Sequence, residues 1–256
     1  MIPVWGPRMV CCAMCLVAST VSAESEIQRF ESPTERVTVV ELFTSHGCSS
    51  CPPADAWLRR LSQLPGLWSQ VIPLAFHVDY WDYLGWRDRF AAAEFSQRQQ
   101  DYRRTGALGS VYTPGVLVNG NEWRGWYHGR PIPDTGRPHI GQLHLEVTAD
   151  DSAILRFTPG PDWQSGNLRA HLVILGSDLE SPIEGGENRG RTLREAFVVL
   201  AHKRSDSQIA PYTWRLEWSE FAPAGQNRLA VAAWLSSEND PAPLQAVGGW
   251  LADPAP

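Results

Sequence analysis

Two cysteines stand three residues apart, Cys48 and Cys51, in the run Gly-Cys-Ser-Ser-Cys-Pro-Pro. Directly before them lies Val37-Thr38-Val39-Val40-Glu41-Leu42-Phe43, short and β-branched, which reads as a buried strand. Directly after them, Ala54, Trp57, Leu58 and Leu61 repeat with helical spacing before Pro65-Gly66 ends the segment. Proline is tolerated only in the first turn of a helix, so Pro52-Pro53 requires the helix to begin close to Cys51. The unpaired N–H groups and positive potential of a helix start favour thiolate over thiol. Cys48 at that end is therefore the expected nucleophile, and Cys51, one turn in, the expected resolving thiol. Two other readings compete. The pair can supply half of a zinc site, although two His or carboxylates must then complete it. It can also be a structural disulfide, although so short a loop gives little entropic stabilisation.

The first residues set the compartment. Arg8 precedes an apolar run from Met9 to Val17, and Val21-Ser22-Ala23 follows, the pattern of a cleaved secretory signal over residues 1–23. Removing it discards Cys11, Cys12 and Cys15, so Cys48 and Cys51 are the only cysteines expected in the mature chain. The whole chain holds 22 basic and 28 acidic residues, a net charge of −6. Arg8 is the only charge in the signal, so the mature value is 21 minus 28, or −7. An acidic balance argues against nucleic acid or an anionic membrane as partner. No later stretch has the apolar length to cross a bilayer. The expected location is periplasmic or secreted.

Residues 24–35 are polar and read as a flexible lead-in. Val71–Phe76 is a second strand, which the intervening helix should join to the first in parallel. Arg89–Arg104 is helix-like, and Val116-Leu117-Val118 leads into Asn119-Gly120, a hairpin turn signal. Residues 129–139, with Pro131, Pro133 and Pro138, suit a linker. Beyond it come seven short β-rich runs: 143–148, 153–157, 168–175, 196–201, 213–218, 229–234 and 246–251. The expected architecture is an α/β domain over 36–128 followed by an all-β, sandwich-like second domain over 140–256.

Parallel strands end on one edge of a sheet, where sites gather. The first strand delivers Cys48 there, the second delivers His77-Val78-Asp79, and a strand opened by Pro114 in the opposite direction starts at the same edge. His46, two residues before Cys48, is placed to stabilise a thiolate or to lie in an exposed turn. His77 and Asp79 suit proton transfer, metal binding or structure. Asp82 reads as a cap or a solvated loop residue. Tyr80, Trp81, Tyr83 and Trp86, with Trp123 and Trp126, read either as a partner surface or as packing between domains. Glu187-Asn188-Arg189-Gly190-Arg191-Thr192 reads first as an interdomain clasp built on Arg–carboxylate pairs, with oxyanion or substrate recognition as the competing reading.

A strand, Cys-x-x-Cys, a helix and a later Thr-Pro before a hairpin resemble the thioredoxin superfamily, so the first domain is expected to be thioredoxin-like. That resemblance implies a cis Thr113–Pro114 bond beside the disulfide, with the Thr113 backbone available to pair with a bound peptide. More narrowly, Glu41–Ser45 running into Gly47–Asp55, the block His77–Trp86, Val111-Tyr112-Thr113-Pro114 and Glu187–Thr192 are similar to an uncharacterised exported bacterial family, a domain of unknown function. The Ser-Ser spacer departs from the Gly-Pro of thioredoxin and the Pro-His of a strong periplasmic oxidant, and the usual last thioredoxin helix has no counterpart. The expectation is an exported thiol–disulfide oxidoreductase that exchanges with a partner protein's thiol or disulfide and needs no cofactor. The alternative is a metal-handling module built from the same cysteines with His46 or His77.

Overall fold

A computed structural model describes residues 27–148, 152–206, 208–217 and 228–252, together with Met1. Residues 2–23 of the proposed signal, 24–26 of the expected lead-in and Trp218 of the run 213–218 lie outside the described residues. The strands are β1 (Gln28–Glu31), β2 (Thr38–Thr44), β3 (Val71–His77), β4 (Gly115–Val118), β5 (Asn121–Glu122), β6 (Gly141–Thr148), β7 (Ser152–Pro159), β8 (Leu168–Ser177), β9 (Leu179–Pro182), β10 (Thr192–Glu195), β11 (Val198–Arg204), β12 (Thr213–Glu217), β13 (Arg228–Ser237) and β14 (Pro243–Trp250). Two α-helices, α1 (Pro52–Arg60) and α2 (Ala93–Arg104), complete the regular elements with three short 3-10 turns. No helix of the described residues is long and apolar enough to cross a membrane.

The local expectations around the cysteines match the backbone. β2 and β3 pair in parallel from Thr38↔Val71 to Thr44↔His77. β4 runs antiparallel to β2, with Gly115 opposite Phe43. Asn119 and Gly120 both take positive φ, 46° and 79°, as a tight hairpin demands. Asn119 is held there by its Oδ1, which accepts the Val39 N–H at 2.8 Å.

The expected fold class is not what forms. In place of a thioredoxin-like α/β domain followed by a separate β domain, one eight-stranded sheet runs β14-β13-β8-β11-β3-β2-β4-β5. β11 closes onto β3 in parallel at Val198↔Ala75, so the strands of both halves share one ladder. The reason is edge satisfaction. β3 carries β2 on one side, and its other side would expose unpaired N–H and C=O groups; the Ala75 N–H instead donates to the Phe197 carbonyl at 2.8 Å. Periodicity reports the face a strand buries but not the partner it chooses. A second sheet, β1-β6-β7-β12, and the pair β10-β9 stand apart from the large sheet.

Alternation assigns the two faces of the large sheet. One face presents Phe43, Leu74, Phe76, Val173, Ala232 and Trp234 to α2, whose Phe95 and Tyr102 complete that core. The opposite face is shared. At the β2–β3–β4 end, Val40, Leu42, Ala75 and Val116 meet Trp57 and Leu58 of α1. At the β8–β13 end, Leu172, Ile174, Val231 and Ala233 meet Leu143, Leu155 and Phe157 of the four-stranded sheet.

The segments expected as lead-in and linker are both tied down. β1, within 24–35, pairs antiparallel with β6. In 129–139, the Thr135 carbonyl accepts from Arg36 Nη2 at 2.6 Å and Thr135 Oγ1 accepts from Asn119 Nδ2 at 2.7 Å. The α2-side core also contains a buried ion pair: Arg98 Nε donates to Glu41 Oε2 at 2.6 Å, and the Tyr102 hydroxyl donates to the other carboxylate oxygen. Glu41 stands in a run that reads as a buried strand, and its side chain points at α2.

Candidate functional site

β2 ends at Thr44 and the chain turns through Ser45 to Cys48 before α1 begins at Pro52. Cys48 and Cys51 form a disulfide with Cα atoms 5.5 Å apart. Cys51 sits at the cap position of α1, and its carbonyl accepts from the Ala54 and Asp55 N–H groups. Both cysteines are buried, at 1% and 0% exposure, whereas Ser49 and Ser50 between them are exposed.

Three distant segments hold this turn. Asn188 Nδ2 donates to the carbonyls of His46 and Cys48 at 2.8 and 2.9 Å, and Arg191 Nη1 donates to Asn188 Oδ1. Glu187 Oε2 accepts the Ser49 N–H at 2.9 Å. The run 187–192 does clasp two parts of the chain, but through side chain to backbone contacts on the cysteine turn and not through Arg–carboxylate pairs. The loop after β3 is the second segment: a Cβ on Gly47 would fall 2.9 Å from Trp81 Cβ, so only glycine allows that approach. Trp81 Nε1 in turn donates to Thr113 Oγ1 at 2.7 Å. Thr113–Pro114 is cis and enters β4 at the edge where β2 ends. Thr113 and Pro114 are thus at the cysteine edge of the sheet, linked to the cysteine turn through Trp81.

Behind the turn is a buried cluster on the α1 face. His77 Nδ1 donates to Asp88 Oδ2 at 2.7 Å, and the same oxygen accepts the His46 N–H at 2.8 Å. His46 Nε2 lies 2.8 Å from Glu195 Oε1, and its Nδ1 lies 3.3 Å from Asp88 Oδ1. Burial alone would lower the His77 pKa, but the charge and hydrogen bond of Asp88 lift it to about 9. Burial likewise opposes ionisation of Asp88, yet His77 holds that carboxyl well below its ordinary value. Asp55, on α1 one turn beyond Cys51, has burial as its main influence and is pushed up to about 7 despite the pull of His77.

Of the supporting residues expected from sequence, His46 and His77 meet at this cluster. Asp79 does not: its carboxylate accepts from Ser96 Oγ and its N–H donates to the same hydroxyl, which fastens the loop to α2. Asp82 Oδ1 accepts the Asp88 N–H at 3.1 Å, a structural role. Asp88, Glu195 and Asp55 went unread in the sequence. Two of them carried a signal, because Asp55 interrupts the apolar stripe of α1 and Glu195 alternates inward with Leu193 on β10. Among the aromatics, Trp123 and Trp126 pack on Trp57 of α1 with ring centroids 5.5 and 6.3 Å away, whereas Tyr83 is 77% exposed and stacks on Trp81.

A family model described as a protein of unknown function, DUF1223, matches residues 39–234. The chain belongs to that family. A solved structure, protein AGR_C_4864 from Agrobacterium tumefaciens, is 28% identical and covers 84% of this chain and 94% of its own, with a TM-score of 0.54. HBP35 of Porphyromonas gingivalis is 16% identical over 85% of this chain and 76% of its own, also with a TM-score of 0.54, a likeness of fold alone. No curated protein matches the chain.

Proposed function

We propose that this member of the DUF1223 family is an exported thiol–disulfide oxidoreductase acting on a partner protein. The observation that carries the reading is the Cys48–Cys51 disulfide at the start of α1, with a buried Asp55, whose carboxyl burial pushes up to about 7, one turn along the same helix. Export rests on the N-terminal charge and apolar run, and on the oxidising compartment in which a disulfide persists.

The chemistry balances without a cofactor. A partner thiolate attacks Cys48 Sγ, the Cys48–Cys51 bond breaks, and Cys51 leaves as thiolate. Asp55 is the proton donor for that leaving group, since residues four apart share a helix face and its carboxyl holds a proton up to a pH of about 7. A second partner thiolate then attacks the partner's sulfur in the mixed disulfide and releases Cys48. The partner dithiol is oxidised and the pair reduced; the reverse sequence reduces a partner disulfide. Because Cys48 is only 1% exposed, attack requires the Ser49–Ser50 turn to swing outward. Glu187, which holds the Ser49 N–H, acts as the latch.

Replacing Cys51 with Ala should trap a mixed disulfide on Cys48, and replacing Cys48 as well should abolish it. Absence of any trapped partner, together with no turnover of a model dithiol, would sink the reading. A second reading is supported by one observation: donor atoms of His46, His77 and Asp88 lie within 4.8 Å of one another, a set suited to a divalent transition metal. Stoichiometric zinc after anaerobic purification, lost in His77→Ala but kept in Cys48→Ala, would favour metal handling over exchange.

A further inference from the structure

The α2 face of the large sheet holds a second polar centre, remote in character from the cysteine turn. A cavity of about 660 Å³ opens between α2, the ends of β8 and β11, and the loop that follows β13. Its volume falls in the range of small-molecule sites. The floor is sheet: Arg169 and His171 from β8, His202 and Arg204 from β11, and Ser236 from β13. Register explains the convergence, since Arg204 and Trp234 both lie opposite His171, and Arg169 lies opposite Ser236.

The two imidazoles form a chain. Glu94 Oε2 lies 3.2 Å from His202 Nδ1, His202 Nε2 lies 3.2 Å from His171 Nδ1, and His171 Nε2 lies 3.0 Å from Ser236 Oγ. Both rings are nearly parallel to the Trp234 indole, the closer at 4.7 Å. The Ser236 hydroxyl at the end of the chain also donates to the Ser237 carbonyl at 3.1 Å.

The charges around the chain are unevenly satisfied. Arg98 is committed to Glu41 and Arg104 to Asp101. On the acidic side, Glu94 holds His202, Asp240 accepts the Ala242 N–H, and Glu238 accepts from Asn167 Nδ2. Arg169 and Arg204 have no ion-pair partner among the described residues, and Arg169 Nε is buried with no acceptor at all. A buried guanidinium N–H without an acceptor is costly, and a cationic floor under a cavity of this size attracts an acceptor-rich ligand.

We infer that this cavity is a binding site for a small multivalent oxyanion, a carboxylate or phosphate compound, gripped by Arg169 and Arg204 with His171 and His202 beneath it. The electrostatics at the floor agree. Burial first, then the neighbouring imidazole and Arg98, Arg204 and Arg169, hold His171 well below its ordinary pKa. His202 is lowered mainly by burial, against the pull of Glu94. A bound anion adds negative charge beside both rings and favours their protonated forms.

The site is independent of the cysteine chemistry and is tested on the full chain by calorimetric titration with inorganic phosphate and with malonate at constant ionic strength. The expected result is saturable binding of both probes. It should weaken at least tenfold in Arg169→Gln and in Arg204→Gln. Arg204 is exposed, so its replacement leaves the fold intact and keeps the test decisive if Arg169→Gln misfolds. Histidine NMR should show His171 and His202 moving with the anion while His77 stays fixed. No saturable binding of either probe, or equal binding in the Arg204→Gln protein, overturns the inference.

Discussion

Two pairs of histidines lie on opposite faces of one sheet, and the pKa of His77 in one pair is raised while both members of the other are lowered. On the α1 face, His46 and His77 sit among Asp88, Glu195 and Asp55, and His77 is lifted to about 9. On the α2 face, His171 and His202 sit among Arg98, Arg169 and Arg204, and both are depressed. Burial disfavours the imidazolium in each case. At His77 a carboxylate at 2.7 Å outweighs desolvation; at His171 burial leads and the guanidiniums of Arg98, Arg204 and Arg169 reinforce it, and at His202 burial outweighs the pull of Glu94. Neighbouring charge therefore separates an ion pair at His77 from a hydrogen-bond relay at His171 and His202, where burial leads.

The contrast breaks most severely at Asp88. Asp88→Asn removes the charge that sustains His77 and leaves a buried imidazole that must neutralise. The His77 pKa should fall from about 9 to below 6.5, read by NMR titration. Stability should drop by about 3–5 kcal/mol at pH 7 in denaturant unfolding, the usual cost of breaking a buried pair. In the wild type, the stabilisation from His77 is complete below about pH 6.5 and fades as pH rises through about 9. His171 and His202 have the opposite sign, because their lowered values make stability fall as pH drops below about 6.5. The two faces together predict a stability maximum near pH 6.5, below which the His171 and His202 contributions are lost and above which the His77 contribution fades.

Asp55 sharpens the comparison from the acidic side. Its carboxyl is raised from 3.8 to about 7, so the folded state favours its protonated form, and stability is lost as pH climbs through about 7. Asp55→Asn removes that penalty and should stabilise the protein by about 2–4 kcal/mol at pH 8 but hardly at pH 4, measured as urea midpoints. The same variant should slow dithiol turnover about 10²-fold near pH 6, since the leaving thiolate loses its proton donor. An unchanged rate would remove Asp55 from the chemistry while leaving its stability effect in place.

On the basic face, Arg204→Gln should raise the His171 pKa by a small amount, read by NMR titration, because Arg204 follows burial, His202 and Arg98 among the causes that lower it. The shift should shrink at high salt because Arg204 is exposed. The smallest effect on stability is expected at Glu187→Ala, which frees the Ser49 N–H at the surface. It should leave unfolding almost unchanged yet accelerate reduction of the Cys48–Cys51 disulfide by about tenfold, because opening the turn no longer breaks a charge-assisted hydrogen bond.

Much of the cysteine end was legible along the chain. Pro52-Pro53 located the start of α1, Asn119-Gly120 located a hairpin, and the parallel reading of β2 and β3 brought His77 to the cysteine edge. These features depend on residues within a turn or one strand–helix–strand unit of each other. The second half was legible as strands but not as a partner to the first. β11 completes the sheet beside β3, more than one hundred residues away, and no periodicity encodes that choice. The same distance hid the site's other members. Asn188 and Glu195 reach the cysteine turn only because β9 and β10 fold back over it, and Asp88 comes from the loop that passes beneath.

The amino-acid sequence by itself determined the redox-capable pair, the helix start that holds it and the alternation that buries one face of each strand, since these follow from local sterics and polarity. Only the tertiary structure decided that both halves share one sheet, because strand edges are satisfied by whichever partner the whole chain brings into register. It also decided which histidines carry charge. That depends on carboxylates and guanidiniums from distant segments meeting each ring in a low-dielectric interior, where a few ångströms outweigh any preference of the residue itself.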